Sequence, residues 1–93
     1  SQLALELQAE VDRYVHARQH GGDPFRHFQR FHWAPGLPPE ARDRYRAAQH
    51  RGERYCRGLA RRFPRQGDTP GLYRELRHFY RVSPLSKLAI AAA

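Results

Sequence analysis

Proline constrains this chain more than any other residue, because it keeps falling where a helix would have to begin. Asp23-Pro24, Asp68-Thr69-Pro70 and Ser83-Pro84 each place a capping side chain just ahead of a proline, and Pro39-Glu40 opens a further stretch. In the first turn of a helix the missing N–H costs nothing and the fixed φ helps, whereas further inside the same residue would break the helix. Between these marks, apolar residues recur every three or four positions. No stretch alternates with period two, no hairpin signal occurs and no internal repeat is present. The expectation is an all-α fold, a compact bundle of four to five helices formed by residues 1–93 as one domain.

Leu3, Leu7, Val11 and Tyr14 set the face of a first helix over 3–19, which His20-Gly21-Gly22 should end. A short second helix is expected to run through Phe25, Phe28 and Phe31, followed by the loop from Trp33 to Pro38. The longest helix spans 39–63, with Ala41, Tyr45, Ala48, Tyr55, Cys56, Leu59 and Phe63 on one face. Gly52 falls on that same face, where it weakens the helix by up to about 1 kcal/mol relative to Ala, so another helix is expected to cross closely there. A fourth helix turns Leu72, Leu76, Phe79 and Tyr80 inward, and Leu85, Leu88 and Ile90 suggest a fifth. Ala91-Ala92-Ala93 reads as an appended stretch.

Charge is the feature that bears on function. The formal net charge is +8, and Lys87 is the single lysine, so nearly every cation is an arginine. Such a balance points to nucleic acid, an anionic membrane or an acidic protein. Guanidinium groups hold phosphate in planar, bidentate contacts, which favours the first, although a GC-rich genome gives the same bias. On the long helix Arg46, His50, Arg54, Arg57, Arg61 and Arg65 fall opposite the apolar face in a row of roughly 28 Å. Arg44, Arg51 and Arg62 form a flank, and within that helix only Asp43 and Glu53 offset them. Arg74, Arg77 and Arg81 repeat the pattern on the fourth helix, so two arginine rows are placed to follow a phosphate backbone. A charged helix face is most often only solvated surface, and the shortage of compensating acids is what sets this one apart.

The aromatic residues have a nearer explanation. Phe25, Phe28 and Phe31 interleave with Arg26 and Arg30 but share one helix side, as core residues do. Trp33, at the loop, is the ring expected to be exposed and available to stack on a base. His16 with His20, and His27 with His32, have spacing that zinc accepts, yet a structural site wants four ligands, usually with thiolates, and no metal is expected. Cys56, the only cysteine, lies on the apolar face and reads as a small core residue, with no internal disulfide possible. The acids stand mostly at caps or on the surface, and no nucleophile–base motif or phosphate-binding glycine loop occurs. The expectation is therefore a non-enzyme with no cofactor and no small-molecule substrate.

No apolar run approaches the ~18 residues of a membrane span and no signal-peptide pattern precedes the first helix, so a soluble, intracellular protein of cytoplasm or nucleus is expected, without a membrane partner. Tyr55, Leu59 and Phe63, then Pro70, Tyr73, Leu76 and Tyr80, loosely resemble the first two helices of the paired amphipathic helix domains of Sin3-type corepressors. That resemblance covers less than a third of the chain and implies a helical hairpin, with no function carried across. The composition is also similar to small helical subunits of nucleoprotein machines, such as those lining the nucleic acid in CRISPR surveillance complexes. The functional expectation is a domain or accessory subunit that grips a DNA or RNA backbone with little sequence specificity, in the company of other protein subunits. The rival is a protein-interaction module whose groove takes a partner helix or an acidic protein, which exposure of Leu5 and Leu85 would favour.

Overall fold

Ser1 starts the first helix by accepting the Ala4 amide on its hydroxyl at 3.2 Å, satisfying one of the donors that a helix N-terminus leaves open. The computed structural model describes residues 1–29 and 36–92, and among these the chain forms five α-helices and one 3-10 turn, with no strand. They are α1 (Gln2–Gln19), α2 (Arg26–Gln29), α3 (Pro39–Arg62) and, after the 3-10 turn Gln66–Asp68, α4 (Thr69–Arg81) and α5 (Pro84–Ala92). The all-α bundle expected from the proline marks is what forms. None of the described helices is long and apolar enough to cross a membrane.

α1 ends where the His20 amide returns to the carbonyls of His16 and Ala17, and Gly21 then turns the chain at φ +77°, a conformation a side chain would strain. Leu7, Val11 and Tyr14 of α1 meet Tyr55, Cys56 and Leu59 of α3 in the core, with Leu72, Leu76 and Phe79 arriving from α4. The Tyr55 and Phe79 rings stack with centroids 4.5 Å apart. α1 and α3 cross at Gly52, as its place on the apolar face suggests. A Cβ built there would lie 2.8 Å from Glu10 Cβ, so only glycine permits this approach. Gly71 plays the same part at the start of α4, where a Cβ would meet the Phe63 ring at 2.8 Å.

Three side chains depart from the expected pattern. Tyr80 is more than one-third exposed, its hydroxyl beside Asp12 on α1 rather than in the core. Leu85 is 81 % exposed, because α5 is held through Leu88, Ile90 and Ala91 instead. Ala91 is buried in the core, so the first residue of the stretch that reads as appended belongs to the fold. α5 lies close to α3, α1 and α4, whereas the backbone of α4 comes near only the 3-10 turn and α5 to any extent. The molecule measures 43 × 29 × 17 Å, thin enough that every helix keeps one side in solvent.

Candidate nucleic-acid interface

Where each acid is placed decides which arginines remain available. Glu6 and Glu10, expected at the surface, are buried between α1 and its neighbours. Glu6 Oε1 accepts from Arg44 Nε at 2.8 Å and from Gln2 at 3.1 Å. Glu10 pairs with Arg13 at 3.0 Å, and its other oxygen stands 3.2 Å from His27 Nε2 without forming a hydrogen bond. Burial holds the His27 imidazole below its usual pKa. The Glu10 carboxylate opposes that shift without overcoming it, and Arg13 adds to the lowering. Glu75, on α4, accepts the Tyr55 hydroxyl at 3.1 Å and Arg62 at 3.3 Å, tying α4 to α3. Burial first, then Glu75, raises the Tyr55 phenol far above its ordinary range.

The smaller acids are also engaged. Asp23 caps the Phe25 amide, Asp68 receives the Arg65 amide, and Asp12 receives Gln8. Glu53 meets Arg57 at 3.3 Å. Of the nine acidic residues, only Glu40 and Asp43 show no such partner among the described residues. The flank expected to carry Arg44, Arg51 and Arg62 is therefore largely neutralised, by acids supplied from α1 and α4.

The nine positions expected to line the interface, Arg46, His50, Arg54, Arg57, Arg61, Arg65, Arg74, Arg77 and Arg81, are all exposed. Their roles differ. Arg57 lies over the Phe25 ring, 4.6 Å from its centroid, besides pairing with Glu53, so it fastens the segment around α2 to α3. Arg65 stands beyond the end of α3, in the connection to the 3-10 turn, and its carbonyl accepts from Arg18. The row along α3 itself thus runs from Arg46 to Arg61, roughly 22 Å at 1.5 Å per residue. Arg54, Arg61, Arg74, Arg77 and Arg81 have no carboxylate within ion-pair distance among the described residues.

Sequence spacing did not disclose the role of Arg18. It donates to the Tyr14 hydroxyl and to the carbonyls of Phe63 and Arg65, capping the C-terminal end of α3 with a cation where the helix dipole favours one. Only the tertiary contact of α1 with that end brings it there.

Trp33 and His32 lie outside the described residues. The His16 and His20 rings stack with centroids 4.2 Å apart, and His20 Nδ1 lies 2.8 Å from the His16 carbonyl. Among the described residues, no group of three or more histidines, cysteines or acids is placed to hold a metal ion. Cys56 is fully buried, and burial first, then Glu10 and Glu53, pushes its thiol well above the ordinary range, the reverse of what a reactive thiolate needs. Comparisons with protein-family models, with curated proteins and with solved structures found no match to this chain.

Proposed function

We propose that this chain binds the sugar–phosphate backbone of a nucleic acid with little sequence specificity, as a non-enzymatic accessory subunit or domain of a larger nucleoprotein assembly. One observation carries the reading. Glu6, Glu10 and Glu75 are spent at helix junctions and Asp23 and Asp68 at caps, while Arg54, Arg61, Arg74, Arg77 and Arg81 project from α3 and α4 with no carboxylate within ion-pair distance among the described residues. Repulsion among like charges at helical spacing is relieved when a polyanion arrives, and each phosphate contacted releases counterions.

The test is fluorescence anisotropy with labelled single- and double-stranded DNA and RNA, titrated across salt. If all five guanidiniums meet phosphates, the slope of log affinity against log salt is roughly −3.5 to −4.5. Replacing Arg54, Arg61 and Arg77 with Glu removes binding while the circular dichroism spectrum stays as it was, because none of the three holds the fold together by an ion pair.

A second reading, a protein-interaction module for a partner helix or an acidic protein, has its own support. Leu5 and Leu85 are 66 % and 81 % exposed, and each offers apolar surface that a protein partner could cover. Failure of every nucleic-acid probe to bind at low salt rejects the first reading and favours this one.

A further inference from the structure

Three glycines sit within helices α3 and α4, and two of them are explained by packing: Gly52 admits Glu10, and Gly71 admits the Phe63 ring. Gly58, the third, is not. A Cβ built on it would meet only Arg61 Nη2, at 3.8 Å, an ordinary contact. Glycine weakens a helix interior, so one without a close neighbour has its effect elsewhere, in the space that it leaves.

That space is a cavity of about 310 Å³ between α3, α4 and α5. Leu59, Tyr55 and Ile90 line its apolar side, and Arg54, Arg61 and Arg62 line it as well, Arg54 and Arg61 about one turn to either side of Gly58. Its single acid, Glu75, is already engaged by Tyr55 and Arg62, so the charge presented to an occupant is positive. A recess lined partly by apolar side chains and partly by guanidiniums suits a flat, weakly polar ring attached to a phosphate, since arginine both stacks on rings and binds phosphate in its own plane. Its volume is at the small end of ligand pockets.

From this geometry, and resting on the backbone-binding reading above, we propose that the Gly58 recess receives one unpaired nucleotide, base inward and phosphates on Arg54 and Arg61, which makes the preferred ligand a single strand. In a duplex the bases are stacked and paired, and a base reaches such a recess only after being unpaired at a cost.

The experiment uses an oligodeoxythymidylate carrying one 2-aminopurine, a blunt duplex of equal length, and the variants Gly58→Ala and Gly58→Leu. Neither variant loses helix-forming tendency, so both fold. The expected result is that 2-aminopurine fluorescence changes on binding and that single strand binds more tightly than duplex. Gly58→Leu, which fills the recess, weakens the single strand roughly tenfold, the scale of one stacked base, and leaves the duplex as it was. Gly58→Ala, filling little of it, has an intermediate effect. Unchanged fluorescence on binding overturns the proposal, and so does equal weakening of strand and duplex by Gly58→Leu. In either case the backbone reading survives. No binding of either probe at low salt overturns both.

Discussion

One chemical change made at two places on α3 tests whether the helix crossing is as tight as the structure has it. Gly52→Ala and Gly58→Ala each add one methyl to a helix interior, and each gains the same intrinsic helix stability, up to about 1 kcal/mol. At Gly58 the methyl meets only the Arg61 guanidinium at 3.8 Å, an ordinary contact, so the gain is kept: stability rises by about 0.5–1 kcal/mol. At Gly52 it lands 2.8 Å from Glu10 Cβ and 3.6 Å from the Phe28 ring, whereas carbon atoms rest at about 3.5–4.0 Å. Glu10 Cβ is bonded to the α1 backbone and cannot rotate aside, so α1 and α3 must part by about 0.7 Å or more. Overpacking of this kind costs about 1–3 kcal/mol, and parting the helices also disturbs the pair between Glu10 and Arg13. The net expectation for Gly52→Ala is a loss of about 1–2 kcal/mol. At about 4–8 °C per kcal/mol for a domain of this length, its Tm falls by about 4–16 °C, while that of Gly58→Ala rises by about 2–8 °C. Urea unfolding followed by far-UV circular dichroism gives the two stability changes, and thermal melts give the two Tm shifts. A Gly52→Ala protein as stable as the parent, or more so, would refute the close crossing and with it the explanation of the glycine.

Three further outcomes follow from single side chains. Arg57→Ala should lower stability by about 0.5–1 kcal/mol through the lost contact with Phe25, and Arg54→Ala should leave it within error, a contrast that thermal melts resolve. His27 titrates with a folded pKa below its unfolded value near 6.5, so the unfolded state takes up the proton first. Stability contributed by the neutral ring is then full above pH 6.5 and is lost as pH falls toward the folded pKa. His27→Gln should flatten that limb of a stability–pH profile, and an unchanged limb would assign it to other groups. Cys56 should react with a chromogenic disulfide reagent only at the rate of unfolding, and immediate stoichiometric reaction in native buffer would contradict its burial.

The helices were legible because their signals are local. Caps, first-turn prolines and three–four spacing act within a few residues, and Pro39, Pro70 and Pro84 each open a helix as expected. Even the tight crossing at Gly52 could be anticipated, since a glycine on an apolar face implies a close neighbour. What the pattern concealed is how cations are divided between structure and surface. Along α3 the acids looked too few, because helical spacing counts only partners three or four residues away. Arg44 finds Glu6 across 38 positions and Arg62 finds Glu75 across 13, separations to which no periodicity extends. Glu6 and Glu10 look like surface residues by their charge and are buried because α2 and α3 close over that side of α1. Which arginines keep an acid is therefore largely a product of tertiary structure, and helical spacing alone does not disclose the division.

The position of α5 also bears on the order in which the molecule can assemble. α1 and α3 can pair as soon as both exist, but α4 is joined to that pair mainly by the reach of its side chains and by its neighbour α5. The native arrangement is thus incomplete until the residues from Pro84 onward have been made, because until then the core lacks Leu88, Ile90 and Ala91. Proteolytic loss of this same short segment would not merely fray an end. It would open the side of the core that Leu88, Ile90 and Ala91 close, and leave α4 without one of its neighbours.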